Sequence, residues 1–275
     1  MASTERILFV AWQDPKTREW IPVGRLTHAN GTYLFQYTKG AKRSERFVPF
    51  GWMRALDTTY LSPTLFPLFA NRLLPKSRPE FKDYIEWLGL TESKYDELEI
   101  LARSGGIRET DTLEIFPCPM PDKDNRYVAY FFCHGLRYFS KEQQTRLKTL
   151  KVGERLRFLK DIQNSFDPTA LMLRTQEPVS LMGYCPRYFS AEFSQLLEKA
   201  GPEDVSVTAE RVNPDAPSEL RLLCKIVAPW PRKFAPCSKG LFEPISKFTP
   251  DDSFERKKLL LTPHNQKAAK EKVGT

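Results

Sequence analysis

The sequence contains no apolar run of about eighteen residues or more, so we expect no membrane-spanning helix and no membrane partner. It also lacks C-x-x-C pairs, since the five cysteines are widely spaced, and the three histidines are scattered. Because the ligands of a zinc site usually come in closely spaced pairs, no metal site is expected. We also expect no cofactor, and the odd, unpaired set of thiols is typical of a reducing, cytoplasmic protein.

Signatures of catalysis are missing as well. The chain has no G-x-S-x-G, H-E-x-x-H or Walker sequence and no protein-kinase catalytic signature. The glycines of S-G-G-I-R-E-T-D (104–111) follow a predicted helix, whose C-terminal dipole repels anions, so a helix cap is favoured over a phosphate loop. We expect that the protein is not an enzyme and that a partner supplies any catalysis. An unrecognised nuclease is the weakest alternative.

The sequence does contain enough apolar residues for a core, together with an uneven charge. Hydrophobic residues make up 41% and aromatic residues 12% of the chain. The net charge is +8, and residues 137–160 hold eight basic side chains against Glu142 and Glu154. A basic cluster beside aromatic residues suits a nucleic acid, because cations replace counterions at phosphates and rings stack on bases. A solvated basic face is the alternative interpretation.

Periodicity in the first half predicts strands followed by helices. Residues 6–37 alternate between apolar and polar positions, and H-A-N-G at 28–31 predicts a hairpin turn. Apolar residues at helical spacing predict one helix over 77–90, capped by Ser77, and a second over 92–106 that ends at two glycines.

The second half consists mainly of predicted strands after a polar, proline-rich linker at 117–125. One helix is predicted over 188–201, with Ser190 as its cap. The predicted strands occupy 126–136, 154–162, 170–175, 179–186, 204–212 and 219–228. This arrangement is typical of a small barrel with a helix packed against it.

Four separated motifs in this half resemble the HIRAN domain, a module found in helicase-like transcription factor, in related DNA-repair translocases and in bacterial proteins. In order they are Gly135/Arg137/Tyr138/Phe139, Gly153/Glu154, Asn164/Ser165/Phe166/Asp167 with Ala170/Leu171, and Gly183/Tyr184/Pro186/Arg187. Where the family has Pro-Tyr in the third motif, this chain has Ser165-Phe166, which keeps a ring for stacking but loses a hydroxyl group.

The resemblance implies an OB-like barrel that holds the 3′ end of single-stranded DNA. The matching positions are Arg137, Tyr138, Phe139, Asn164, Phe166 and Asp167, and the nearby cations Arg155, Arg157, Lys160 and Arg187 complete the predicted DNA-binding set. A ring can stack on an unpaired base, and a guanidinium group can bind a phosphate. A carboxylate at Asp167 repels phosphates but can accept a hydrogen bond from a free terminal hydroxyl, so it would select ends. The alternative is that Asn164 and Asp167 only shape a turn.

The resemblance and the patterns together predict an α+β protein of two domains. An N-terminal module of strands and helices occupies 1–116, a small OB-like β-barrel with a packed helix occupies 124–235, and a basic extension follows at 236–275. Residues 1–115 also resemble the N-terminal subdomain of HipA-type toxin kinases, in V-G-R-L-T-H-A-N-G-T-Y-L-F-Q-Y-T-K-G and L-S-P-T-L-F-P-L-F-A-N-R-L-L-P. No kinase core follows that segment, so the resemblance does not imply kinase activity and leaves docking to a partner kinase as an alternative.

The expected function is therefore non-catalytic recognition of single-stranded DNA or DNA 3′ ends, in DNA repair or bacterial defence. The alternative is a protein-interaction or regulatory module that docks a HipA-like kinase or a nuclease. The two R-Y-F-S copies differ in this scheme. The copy at 137–140 opens the basic segment and is the expected contact, whereas the copy at 187–190 leads into a helix.

Overall fold

The computed structural model describes residues 6–91, 95–165, 167–238 and 240–247, and it confirms a mixed α+β protein with two β-sheets. The strands are β1 (Arg6–Gln13), β2 (Trp20–Ala29), β3 (Thr32–Tyr37), β4 (Thr59–Ser62), β5 (Leu113–Pro117), β6 (Arg126–Phe132), β7 (Arg155–Lys160), β8 (Leu171–Thr175), β9 (Leu181–Tyr184), β10 (Ser206–Val212) and β11 (Leu222–Pro229). The α-helices are α1 (Pro67–Ala70), α2 (Phe81–Trp87), α3 (Glu97–Ser104), α4 (Lys141–Thr149) and α5 (Arg187–Ala200). Within the described ranges, none of these helices has the length and hydropathy needed to cross a membrane.

The first sheet is antiparallel and has the strand order β4-β3-β2-β1-β5. The predicted hairpin joins β2 to β3 through Asn30 and Gly31, whose φ angles of 50° and 74° give the primed turn that matches strand twist. Helices α2 and α3 follow this sheet in the chain, and β5 then returns to pair with β1.

The second sheet has the order β6-β11-β10-β7-β8-β9 and curls into a partly closed barrel. An antiparallel bridge between His134 and Tyr184 joins the two edges, with N–H···O distances of 2.9 and 3.0 Å. The close approach requires Gly183, because a Cβ atom there would lie 2.9 Å from both Cys133 Cβ and the His134 carbonyl oxygen. The expected small barrel is thus present in the C-terminal half as a curled sheet.

A shared hydrophobic core connects the two sheets. Phe189 and Phe193 of α5 enter the barrel core, which also includes Phe9 of β1 and Phe116 of β5. The rings of Phe116 and Tyr188 stack with centroids 4.6 Å apart. Residues 117–125 connect the sheets across this contact, and the division into domains at this point stays a prediction.

The predicted boundaries of α2 and α3 need adjustment. Helix α2 begins at Phe81 and not after Ser77, because Arg78 and Phe81 donate their backbone N–H groups to Pro75 and Arg78 in successive turns. Asp96 caps α3 by accepting from the Glu99 N–H at 2.8 Å. Part of the segment predicted before this cap, residues 92–94, lies outside the described residues.

The cap predicted for α5 was wrong. The helix begins at Arg187 after Pro186, and Ser190 is buried one turn inside, with its hydroxyl oxygen 3.5 Å from the sulfur of Cys185. Helix α4 was not predicted. It begins with a capping box in which Ser140 and Gln143 bond each other's backbone N–H groups.

The described part of the predicted C-terminal extension lies along the first sheet. Glu243 forms an ion pair with Lys39, and Thr38 and Pro244 form a β-bridge. Gln36 Nε2 donates to Ser246 Oγ at 2.8 Å. Residues 248–275 of the predicted extension lie outside the described residues.

Candidate functional site

The first motif forms a short turn that exposes one aromatic ring. Gly135, with φ of 79°, starts a 3-10 helix at Leu136–Tyr138, and the buried Leu136 anchors it in the core. The Tyr138 side chain is 76% exposed. Arg137 Nη2 donates to the Tyr138 hydroxyl at 2.7 Å, and its guanidinium carbon lies 4.8 Å from that ring centroid. Phe139 instead packs partly against the barrel core, so Tyr138 is the ring presented to solvent.

The third motif forms a second turn after β7. Asn164 Nδ2 donates to Asp161 Oδ2 at 3.3 Å, and Asn164 Oδ1 accepts from the Asp167 N–H at 3.0 Å. Asp167 Oδ1 accepts from both the backbone N–H and the hydroxyl of Thr169, at 2.9 and 2.7 Å. These bonds show that Asn164 and Asp167 shape the turn. Of the Asp167 carboxylate they use only Oδ1, so Oδ2 can still accept a hydrogen bond from a ligand. Phe166 lies outside the described residues.

Tyr184 joins the two turns. Its hydroxyl group donates to Asp161 Oδ2 at 3.0 Å. Its Cδ2 atom would lie 3.5 Å from a Cβ atom placed on Gly135. Burial, and then the hydrogen bond and negative charge of Asp161, raise the pKa of Tyr184, so the hydroxyl group remains a donor.

The fourth motif places Arg187 beside the second turn. Arg187 Nε lies 3.9 Å from Asp167 Oδ2, and Arg187 Nη1 donates to the Arg18 carbonyl oxygen at 2.7 Å. Because Asp167 is only 8% exposed, this nearby cation offsets the cost of its burial. Phe189 of the second R-Y-F-S copy lies in the core and Tyr188 packs against it, in the helix to which this copy was predicted to lead.

Residues 135–139, 161–165, 167–169 and 184–187 therefore lie together, and we call them the three-turn surface. Two apolar side chains are strongly exposed on it, Tyr138 at 76% and Ile162 at 83%. Unpaired bases of a single strand can pack on exposed apolar groups, and nearby cations can bind its phosphates.

The predicted cations of β7 have different surroundings. Arg155 Nη2 donates to the Glu203 carbonyl oxygen, and Arg157 Nη1 pairs with the Glu203 carboxylate, both at 3.2 Å. Glu203 thus engages both arginines. Lys160 is exposed and directly precedes Asp161, so it borders the three-turn surface.

Helix α4 carries the centre of the basic segment. Lys141, Lys148 and Lys151 are exposed, whereas Arg146 pairs with Glu154. The helix follows directly on the Tyr138 turn, because its cap is Ser140.

The predicted contacts did not include Asp161, Ile162 and Tyr184, three residues that shape or expose the three-turn surface. Tyr184 belongs to the recognised fourth motif, and that position could have indicated its role. Asp161 directly follows a strand and precedes a turn motif, which is a weaker indication of a functional role. Nothing in the local sequence pattern indicates a role for Ile162. Their importance comes from contacts between segments that are distant in sequence.

A buried carboxyl group lies beside the first turn. Glu114 of β5 is 8% exposed, and its Oε2 atom has no hydrogen-bond partner in the described part of the chain. Burial raises the pKa of Glu114, while the charge of His134 and a hydrogen bond from Tyr188 oppose the shift. No cluster of three or more His, Cys, Asp or Glu side chains placed to hold a metal ion occurs among the described residues.

The match to one protein family agrees with the barrel half of this description. Residues 127–231 match the HIRAN domain family. A crystal structure of a protein from Lactobacillus plantarum is 17% identical, covers 37% of this chain and 98% of that protein, and has a TM-score of 0.29. No curated protein matches. The resemblance of residues 1–115 to HipA-type kinases receives no support from these comparisons. The segment that carries the three-turn surface is thus the segment that matches the HIRAN domain.

Proposed function

We propose that the three-turn surface binds single-stranded DNA at its 3′ end. The observation that carries the proposal is the position of Tyr138. Its ring is 76% exposed on a turn anchored in the core by Leu136, and Tyr184 links that turn to Asp161. A ring held in place yet open to solvent loses little conformational entropy when a base stacks on it.

The neighbouring cations suit the backbone of such a strand. Arg137 is exposed beside Tyr138, and Lys160 is exposed at the start of the second turn. A guanidinium group can bind a phosphate or stack on a base, and each neutralised phosphate releases counterions. The HIRAN match at 127–231 supports a role in binding DNA ends.

Asp167 gives the surface its selectivity for ends. Thr169 engages Oδ1, while Oδ2 faces Arg187 Nε at 3.9 Å. A carboxylate oxygen repels an internal phosphate but accepts a hydrogen bond from a terminal 3′-hydroxyl group. In this proposal the protein binds DNA without catalysing a reaction, and a partner enzyme in DNA repair or bacterial defence carries out the catalysis.

The direct test is a titration of labelled single-stranded DNA at low salt with wild type, Tyr138→Ala and Val179→Ala. Loss of the stacking ring should weaken binding by about 1–3 kcal/mol. Val179 is a suitable control, since it is 62% exposed but lies outside the three-turn surface, and its removal should leave affinity unchanged. Absence of binding by wild type, or equal binding by Tyr138→Ala, would sink the proposal. Incubation with DNA and magnesium ions tests the non-catalytic part, because strand cleavage would contradict it.

A further inference from the structure

We infer that the cavity at Glu114 is a nucleobase pocket that selects bases carrying an exocyclic amino group. This inference rests on the proposed DNA binding and adds a base preference to it. The preference comes from a residue of the N-terminal half, outside the segment that matches the HIRAN domain.

The cavity has a volume of about 250 Å³. It lies between the first turn, β5 and the 3-10 helix Ser218–Leu220. That volume is below the range of about 300–1,000 Å³ typical of pockets for drug-sized ligands, and it suits a single ring system. Its lining includes Ile107, Glu114, His134, Arg137, Ser218 and Glu219.

Glu114 gives the pocket an unsatisfied acceptor. The carboxyl group is buried, Tyr188 hydrogen-bonds to it, and Oε2 has no partner among the described residues. A buried carboxyl oxygen without a hydrogen bond is costly, so the pocket favours a ligand that brings an N–H donor.

The amino group of a base is such a donor. Cytosine has an N4 amino group that can donate a hydrogen bond to a carboxylate. Uracil and thymine have a carbonyl oxygen at the same ring position, and that oxygen would be repelled by Oε2 because both are acceptors. His134 and Arg137 line the same cavity, and the flat faces of an imidazole ring and a guanidinium group can stack on unpaired bases. The chemistry of the lining therefore fits an amino-bearing base.

The pocket is continuous with the three-turn surface. Gly135 and Arg137 line the cavity and also belong to the turn that presents Tyr138. A strand that stacks one base on Tyr138 thus brings a neighbouring base to the pocket. The N-terminal half completes the DNA site by placing Glu114 there, since β5 pairs with β1 and lies against α5.

The test compares single strands of deoxycytidine and deoxyuridine of equal length, which differ only in the groups of the pyrimidine ring edge. At mildly alkaline pH, wild type should bind the deoxycytidine strand about tenfold more tightly, the equivalent of about one charged hydrogen bond. Glu114→Gln should bind both strands alike, because an amide can accept from the amino group or donate to the carbonyl group. Glu219→Gln, a change at an exposed residue of the same pocket, should keep the preference.

Ile107→Trp gives a second, independent test, because Ile107 is 42% exposed and a larger ring there fills the cavity without touching the carboxylate chemistry. This variant should also lose the preference while still binding DNA. Equal binding of the two strands by wild type, or a preference that survives in Glu114→Gln, would overturn the inference alone. If neither strand binds, or if Tyr138→Ala binds DNA as tightly as wild type, the proposed function itself is overturned.

Discussion

The Tyr184 hydroxyl group donates a 3.0 Å hydrogen bond to Asp161 Oδ2, although the two residues lie 23 positions apart. Asp161 also accepts from Asn164, so this contact connects the end of β9 to the whole second turn. The ring of Tyr184 lies against Gly135 on its other side. One side chain therefore holds the position of Tyr138 relative to Asp167.

Replacing Tyr184 with Phe removes this connection while keeping the ring. We expect the free energy of unfolding to fall by about 1 kcal/mol, the net value of a typical hydrogen bond, as measured by urea unfolding. The affinity for single-stranded DNA should fall severalfold, because the two turns are no longer held together. Tyr95→Phe, a change in the first half of the chain, serves as the control. An unchanged DNA affinity would show that the turns do not need this link.

Gly183→Ala tests the closure of the barrel. The added methyl group would lie 2.9 Å from Cys133 Cβ and the His134 carbonyl oxygen, and φ at this position is +120°. Overpacking and backbone strain together should cost about 3 kcal/mol or more. Gly153 has a φ of +83° but no atom within 4 Å of its Cβ position, so Gly153→Ala should cost only the conformational part, about 1–2 kcal/mol. Equal losses in thermal or urea unfolding would contradict the steric account.

The salt dependence of DNA binding distinguishes an exposed arginine from one that is paired with a carboxylate. Arg137 is exposed on the three-turn surface, whereas Arg157 pairs with Glu203 at 3.2 Å. Arg137→Gln should make the slope of log affinity against log salt shallower by about 0.7, the value for one phosphate contact on a single strand. Arg157→Gln should change the slope little. The reverse result would place the DNA along β7 and away from the first turn.

Glu192 should make stability depend on pH. Burial raises the pKa of this carboxyl group from 4.5 to about 7, against the opposing hydrogen bonds from Tyr127 and Cys237. Because the folded state holds the proton more tightly, the contribution of Glu192 to stability is fully present below pH 4.5 and is lost as pH rises through about 7. This pKa difference corresponds to about 3 kcal/mol.

Urea unfolding of wild type and Glu192→Gln across this range tests the expectation, since the amide keeps the shape but does not titrate. The variant should gain stability relative to wild type as pH rises. Glu198→Gln, on an exposed position of the same helix, should follow wild type. A constant difference between wild type and Glu192→Gln would contradict the assignment.

The sequence predicts well those parts of the fold that depend on neighbouring residues. Gly105 ends α3 in the left-handed conformation, and the turn at Asn30 and Gly31 joins β2 to β3, both as expected from local chemistry. Helix α4 was missed because its surface is polar on almost every side, with Leu147 as its buried residue. Ser190 was mistaken for a cap because a serine near a helix start has the same local pattern when it is buried one turn later.

The site was predictable only in part, for the same reason. The motifs locate Arg137, Tyr138 and Asp167, but the link through Tyr184 and Asp161 and the orphan oxygen of Glu114 depend on contacts across the fold. The stacking of Phe116 on Tyr188 likewise joins distant segments, and no spacing rule indicates it.

The most direct test of the account compares two single strands of one sequence, one with a free 3′-hydroxyl group and one with a 3′-phosphate. In the proposed site Asp167 would accept a hydrogen bond from the hydroxyl group and would repel the phosphate, so the free end should bind at least about tenfold more tightly, equivalent to about 1.4 kcal/mol. Asp167→Asn, whose amide still forms the bond to Thr169, should reduce this ratio. Equal affinity of wild type for the two strands would contradict recognition of the 3′ end by the three-turn surface.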